Sequence, residues 1–288
     1  RREGALAAGP KPHRLRRVGG RAHARRPRGP PDRLDARRLL ADVLGRRTGE
    51  LHKALATPTE DPAFAVEKLT EADIAATASD ARGYAAKAFA RLRTALETLS
   101  DAARPMVEAL AARQQALDRL IAELVQAPLG AVKTRIHGDY HLGQVLIAKD
   151  DVVIVDFEGE PSRSEDERRA KSTPLRDVAG MLRSFAYVEA TAVRDIGQRF
   201  GADSTRLRAA AAEWRTHAER HFLAAYDAAV AGSPVEVTDP ATRTRLLKLH
   251  QLARALYEID YEAGNRPDWL DIPVQGVIAL LSEESPAP

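Results

Sequence analysis

Most of this chain carries apolar residues three or four positions apart, the spacing of one face of an α-helix. The pattern predicts a first helix from Leu34 that ends before Pro58. Further helices are predicted over about 71–99, from a cap at Ser100-Asp101 to Leu124, from Leu175, over about 205–230 and over about 241–262, with a turn and a short helix after Arg266. The fold is therefore predicted to be mostly α-helical.

Short β-branched runs lie on both sides of a loop near the middle of the chain. The pattern predicts strands at Thr134–Ile136 and Val145–Ile147, on either side of a loop. Val152–Val155 is predicted to pair with the second strand across a turn at Lys149-Asp150-Asp151. The charged segment Ser162–Pro174 is predicted as a loop, so the helical fold is expected to carry one or two small β-hairpins.

The candidate chemistry lies in and beside this predicted hairpin. Its geometry would bring Asp139, Gln144 and Asp156 close together at the strand ends. Phosphoryl transfer to a hydroxyl needs a carboxylate that orients the hydroxyl and oxygen ligands that hold Mg²⁺ against the phosphates. The segment therefore contains the groups that this reaction requires.

Composition narrows the class of protein. The 288 residues are 44% hydrophobic and 30% charged, and they include no cysteine, so disulfides and thiolate zinc sites are excluded. No apolar run approaches the roughly 20 residues of a membrane-spanning helix, and no signal peptide is expected. We expect a cytoplasmic protein that has no membrane partner.

Charge is distributed unevenly along the chain. The net charge is +3, but residues 1–31 contain ten Arg or Lys and one acid, which leaves −6 for the rest. We expect residues 1–33 to be a disordered basic tail, genuine or produced by a shifted reading frame, and residues 34–288 to form one domain. A nucleic-acid-binding arm is the alternative for such a tail, and composition favours the unstructured tail.

A resemblance to a known family rests on four segments. They are HGDYHLGQVL (137–146), VVIVDFEGEP (152–161), RRAKSTPLRDVAGMLRSF (168–185) and ALYEIDYEAGNRPDWL (255–270). Together they resemble the C-terminal lobe of bacterial maltokinases, in the aminoglycoside-phosphotransferase-like, protein-kinase-like superfamily. The resemblance runs from about Leu44 to Leu281 and is specific, because the motifs recur in combination.

The resemblance implies ATP-dependent phosphorylation of maltose to maltose 1-phosphate with Mg²⁺, within trehalose and glycogen metabolism. It also implies fusion or association with a trehalose synthase. A β-rich N-terminal lobe, with a lysine on the ATP phosphates, is expected upstream, and residues 1–33 contain no such strand pattern. We therefore expect residues 34–288 to be the C-terminal lobe without its N-terminal β lobe. The chain alone is expected to phosphorylate maltose weakly or not at all.

The resemblance also implies roles for single residues. Asp139 resembles the catalytic aspartate, Gln144 and Asp156 resemble the magnesium ligands, and Glu158 is expected to assist the metal. His141 either touches substrate or caps the loop. The sugar is expected to bind Tyr257, Glu258, Tyr261, Glu262, Asn265, Arg266 and Trp269. Structural support is expected from His137, Arg176 and Asp177.

Two other classes of function remain open from the sequence. A metal-dependent hydrolase could use His137, Asp139, His141 and Asp156 as ligands, because His-x-Asp-x-His can chelate zinc or manganese. A non-catalytic sugar-binding or regulatory module is the other.

Overall fold

The structure is a computed structural model that describes residues 33–95, 104–126, 130–200 and 204–282. The rest of the predicted basic tail and the predicted Ser100-Asp101 cap lie outside these residues. The described helices are α1 (Arg33–Leu55), α2 (Glu71–Ala95), α3 (Arg104–Ala111), α4 (Gln114–Leu124), α5 (Glu165–Arg169), α6 (Leu175–Phe200), α7 (Ser204–Val230), α8 (Pro240–Asn265) and α9 (Asp271–Ser282). None of them is long and apolar enough to cross a membrane.

Two small antiparallel sheets accompany the helices. Strands β1 (Glu67–Lys68) and β2 (Val132–Lys133) pair across a long sequence separation. Strands β3 (Val145–Ala148) and β4 (Asp151–Ile154) form a hairpin. The mostly helical prediction is confirmed, and one of the two sheets is a hairpin.

The strand predicted over 134–136 is wrong. Strand β2 ends before it, and Thr134 makes only an isolated bridge with Ser172. The chain then leaves the sheet because the backbone N–H of His137 donates to the side chain of Asp177 instead of a neighbouring strand. The hairpin strands themselves lie within one residue of their predicted positions.

Two helix predictions also need correction. The helix predicted to run unbroken to Leu124 is two helices, α3 and α4, because Arg113 between them leaves helical dihedral angles (φ −103°, ψ 15°). The predicted loop 162–174 contains α5. Ser164 and Glu167 form a capping box that satisfies backbone donors at the start of this short helix.

The core lies between α1 and α7 on one side and α2 and α8 on the other, with α6 packed on both α7 and α8. Helix α1 approaches α7 closely at Gly45, where a Cβ atom would collide with the carbonyl oxygen of Phe222. Fully buried side chains such as Leu252 and Ile259 hold α8 in this core. Because α6 and α8 are fixed in this way, residues on both helices reach the loop that precedes β3.

Candidate active site

The loop between β2 and β3 is anchored by one buried carboxylate. Asp177, in the first turn of α6, is 2% exposed. It accepts hydrogen bonds from the backbone N–H groups of His137 (2.7 Å) and Gly138 (3.0 Å) and lies 3.2 Å from His52 Nε2. These bonds hold the pKa of Asp177 below its usual value although burial acts to raise it. A charged, multiply bonded aspartate therefore fixes the loop where it enters the site.

Helix α1 supports the same loop through buried polar contacts. Tyr140 is buried and its hydroxyl lies 2.7 Å from Thr48 Oγ1. The backbone oxygen of Tyr140 lies so close to Gly180 that a Cβ atom there would overlap it. The Nδ1 atom of His52 lies 3.1 Å from the Tyr226 hydroxyl, which connects this support to α7. Polar side chains inside the core thus position the loop from three helices.

His137 links the loop to the end of β4. Its side chain is buried, and Nε2 donates to the carbonyl oxygen of Val155 at 2.9 Å. With the proton on Nε2, Nδ1 accepts from the N–H of Asp139 at 3.4 Å, a long contact. The ring also lies beside Tyr140 and Phe157, with centroids 5.3 and 4.9 Å away. These contacts place His137 as a packed support beneath Asp139.

Asp139 projects from the loop toward α8. Its side chain is 15% exposed, and Oδ1 accepts a hydrogen bond from Arg254 Nη2 at 3.2 Å. Glu160, 7% exposed, lies 4.0 Å from the same guanidinium and accepts from Arg163 Nε at 3.0 Å. Burial lowers the pKa of Arg254, but the carboxylates around it more than compensate and raise that pKa. Asp139 therefore faces a permanently charged arginine.

Gln144 and Asp156 lie side by side at the base of the hairpin. The amide Nε2 of Gln144 donates to Asp156 Oδ2 at 3.0 Å. Asp156 has a φ of +68°, a left-handed conformation that non-glycine residues seldom adopt. The strained backbone turns its exposed carboxylate toward Gln144. The structure thus brings together the amide and the carboxylate that were expected to bind metal.

Glu158 lies apart from this pair. Its side chain is exposed, and it lines a different depression with Phe157 and Arg168. Among the described residues, no group of three or more His, Asp or Glu is arranged to hold a metal ion. This arrangement gives no support to the hydrolase alternative, and the metal role of Glu158 stays a prediction.

His141 both caps the loop and faces Asp139. Its Nδ1 accepts from the backbone N–H of Gly143 at 3.0 Å, which starts the 3-10 turn Leu142–Gln144. Its Nε2 lies 3.9 Å from Asp139 Oδ2. Burial lowers the pKa of His141 although the charge of Asp139 acts to raise it. Of the two predicted roles, the geometry includes the cap and leaves Nε2 facing the site.

Arg176 and Tyr257 line the same cavity as Asp139. Burial lowers the pKa of Arg176, and its Nη2 lies 3.9 Å from Glu160 Oε2. The Tyr257 ring lies beneath Arg254 at 5.4 Å and stacks on Tyr261 at 6.4 Å. Burial raises the pKa of Tyr257 to about 12. Tyr261 is 37% exposed, so this aromatic pair forms an open rim.

The remaining residues of the expected sugar set form a second group farther along α8. Glu262 is 1% exposed and accepts from both Arg266 and the Tyr187 hydroxyl. Trp269 stacks on Tyr187 with centroids 6.5 Å apart and lies 4.9 Å from the Arg266 guanidinium. Asn265 donates to the backbone oxygen of Tyr261, so it caps the helix. Glu258 lies between the two groups and is bonded to Arg183.

The cavity beside Asp139 has a volume of about 80 Å³, smaller than the roughly 150 Å³ that admits benzene. Its lining carries four carboxylates and three guanidinium groups. They are Asp80, Asp139, Glu160, Asp177, Arg163, Arg176 and Arg254. The local charge is therefore nearly balanced.

Sequence reasoning missed several residues of this site. Arg254 contacts the loop carboxylate and approaches Glu160, and Thr48 and His52 support the loop from α1. The available signal was polar residues on otherwise apolar helix faces, such as Thr48 and His52 one turn apart. That pattern cannot identify which loop those side chains touch.

Comparisons with known proteins identify the family and the fold. The profile of the phosphotransferase enzyme family matches residues 13–214. A glucosamine kinase of Streptacidiphilus jiangxiensis is 29% identical over 250 residues, which cover 87% of this chain and 51% of that protein. A glucosamine kinase of Mycolicibacterium smegmatis (strain ATCC 700084 / mc(2)155) is 33% identical over 212 residues, covering 72% of this chain and 48% of that protein.

A solved glucosamine kinase in complex with glucosamine, ADP and inorganic phosphate superposes with a TM-score of 0.64 at 29% identity. The match covers 86% of this chain and 53% of that one. Crystal form A of a glucosamine kinase gives 0.65. The fold is thus kinase-like, and the chain spans about half the length of the curated relatives it matches.

Proposed function

Because the chain belongs to the phosphotransferase enzyme family, we propose that its described residues form the acceptor-binding and catalytic lobe of an ATP-dependent sugar kinase. One observation carries the proposal. The single loop 137–144 places Asp139 at the cavity wall and, at its other end, sets Gln144 against Asp156. This arrangement supports an acceptor-binding role for Asp139 and a cation-binding role for Gln144 and Asp156, at the two ends of one segment.

Asp139 would act on the sugar hydroxyl. The hydroxyl donates a hydrogen bond to a carboxylate oxygen, which directs the oxygen lone pair at the γ-phosphorus. As the new oxygen–phosphorus bond forms, the bond between the γ-phosphorus and the bridging oxygen breaks, and its electrons leave with ADP. The proton passes to Asp139 late in the transfer. Arg254 holds the carboxylate in place beforehand.

Gln144 and Asp156 would hold Mg²⁺. This donor set fits the ion, which commonly takes one or two carboxylates and completes its coordination with phosphate oxygens and water. The Gln144 amide must rotate so that its oxygen, instead of the nitrogen that now meets Asp156, faces the cation. When bound, the ion neutralises charge on the transferring phosphate.

We propose maltose as the acceptor. The motif resemblance supports it, and so does the charge balance, because acids near Asp139 and on α8 are paired with arginines, as in Glu160 with Arg163 and Glu262 with Arg266. A neutral sugar needs no unpaired carboxylate. Since the cavity is small, the sugar would lie across its mouth on the aromatic rim of Tyr257 and Tyr261. A trehalose synthase as fusion or partner is proposed on the same resemblance.

Glucosamine is the second candidate, because both curated relatives described above are glucosamine kinases. A cationic amino sugar would have to displace an arginine from one of the acids, such as Arg254 from Asp139. Its binding would then weaken with added salt, whereas the binding of maltose would not.

Isothermal titration of the 288-residue protein with maltose and glucosamine, and with sorbitol as a control polyol, tests the proposal. We expect maltose to bind in a salt-independent way, and Tyr257→Ala to weaken it about 5-fold or more by removing the stacking surface. Phe200→Ala, at an aromatic that is 73% exposed at the end of α6, is the matched control. Tighter, salt-sensitive glucosamine binding would replace maltose, and no sugar binding at all would contradict the sugar-kinase proposal.

A further inference from the structure

Four charged side chains form a continuous series from the interior of the helical core to the catalytic loop. The Nε and Nη2 atoms of Arg183, on α6, donate to Glu258 Oε2 at 3.0 and 2.7 Å. The other oxygen of Glu258 lies 3.4 Å from Arg254 Nε. Arg254 in turn donates to Asp139 at 3.2 Å. We name Arg183, Glu258, Arg254 and Asp139 the charge series.

Arg183 is held in one place by its surroundings. It is 5% exposed, and its guanidinium lies 5.9 Å from the Tyr187 ring centroid. On its other side, Nη1 lies so close to Gly276 of α9 that a Cβ atom there would overlap it. Because Gly276 has no side chain, the guanidinium fits into the space that a Cβ atom would occupy. Arg183 therefore has little freedom to move away from Glu258.

Glu258 has two possible partners, Arg183 and Arg254, so its bonds to Arg183 limit how fully it pairs with Arg254. Glu258 and Arg254 are four residues apart on α8, a spacing at which a carboxylate and a guanidinium pair readily. At present one carboxylate oxygen is engaged by Arg183, which leaves Arg254 a single long contact with Glu258. A buried carboxylate without a partner is costly, so loss of Arg183 would drive Glu258 to pair fully with Arg254.

We propose that Arg183 is a positioning residue: by engaging Glu258, it leaves Arg254 free to hold Asp139 in the geometry that receives the acceptor hydroxyl. The kinetic part of this inference rests on the proposed function. The structural part, that Arg183 sets where Arg254 points, stands independently of any activity.

A crystal structure of Arg183→Met tests the structural part. Methionine fills a similar volume without a charge, so Glu258 loses its partner and little packing is lost. We expect the Arg254 guanidinium to turn to Glu258, with its Nη2 more than about 4 Å from Asp139, beyond ion-pair distance. An Arg254–Asp139 contact that stays at 3.2 Å would overturn the inference.

Steady-state phosphorylation of the sugar, measured with an ATP-binding N-terminal lobe joined before this chain, tests the kinetic part. We expect Arg183→Met to lower kcat about 10-fold or more while KM for the sugar changes less, and Arg183→Lys to recover part of kcat by keeping one N–H donor on Glu258. Simple loss of folded protein would lower kcat in both variants without this recovery. Equal kcat in Arg183→Met and the unsubstituted protein would also overturn the inference.

A substitution on helix α9 can displace Arg183 without removing a charge. Gly276→Ala should displace Arg183 and lower kcat, although alanine favours the helix. Gln275→Ala, at the exposed neighbouring position, should leave kcat unchanged. If Gly276→Ala retains full kcat, Arg183 does not act as proposed. If, with an ATP-binding N-terminal lobe joined before this chain, neither the unsubstituted protein nor any variant phosphorylates a sugar while Arg254 still turns in the Arg183→Met structure, the proposed function fails and the positioning role stands.

Discussion

Replacing Asp177 by asparagine should destabilise the protein more than any surface change of the same chemistry. The carboxylate accepts from two backbone N–H groups and from His52. In Asp177→Asn one of the two acceptor oxygens becomes an NH₂ group, which must face a donor. Whichever way the amide is turned, at least one of the backbone donors of His137 and Gly138 is left in the core without an acceptor.

The size of the effect follows from these bonds. A hydrogen bond to a charged group contributes about 1.5–3 kcal/mol, and a buried donor left unsatisfied costs about 1–3 kcal/mol. Allowing for partial relaxation, we expect Asp177→Asn to lower the free energy of unfolding by about 3 kcal/mol. Urea unfolding followed by far-ultraviolet circular dichroism at pH 7 measures it.

Asp195→Asn is the matched control, because Asp195 lies exposed on the same helix α6. It should change the free energy of unfolding by no more than about 0.5 kcal/mol. If Asp177→Asn falls within the same range as this control, Asp177 does not anchor the loop energetically, and the account of how the site is held would be refuted.

Three further predictions address chemistry, metal and pH. With the ATP-binding lobe joined as above, Asp139→Asn should lower kcat for sugar phosphorylation about 100-fold or more with unchanged circular dichroism, and a retained rate would remove Asp139 from catalysis. Asp156→Ala should weaken Mn²⁺ binding, followed by electron paramagnetic resonance, about 10-fold or more, whereas Glu158→Gln should affect it less; equal effects would place Glu158 at the metal. Burial and the charge of Arg176 lower the pKa of His250 to about 3. Below pH 6.5, His250 therefore becomes protonated in the unfolded chain while it stays neutral in the folded chain. Stability should therefore fall as the pH falls from 6.5 toward 3, and urea unfolding should show a smaller fall in His250→Asn, which lacks this group; an identical pH dependence in both proteins would contradict this.

The helices and the hairpin could be predicted because their signals are local. The apolar spacing of α8 and the β-branched run of β4 lie within single segments, and the turn at Lys149 between the strands is short. The proximity of Gln144 and Asp156 followed from the hairpin alone, since both lie at its base. Predictions of this kind need only the chain between their own ends.

The parts that failed depend on partners far away in sequence. The strand expected at 134–136 is lost because His137 bonds to Asp177, 40 residues later. Arg254, which lies 115 residues from Asp139, has the same helical spacing as any surface arginine. Its contact depends on how α8 packs against α6, and that packing is a property of the whole core.

The central claim is that Asp139 receives a sugar hydroxyl at the mouth of the cavity it lines. A crystal structure of the 288-residue protein with maltose tests this most directly. The account predicts a sugar hydroxyl about 2.6–3.2 Å from a carboxylate oxygen of Asp139, with the sugar against the rim of Tyr257 and Tyr261. A sugar bound elsewhere, with no hydroxyl within reach of Asp139, would contradict it.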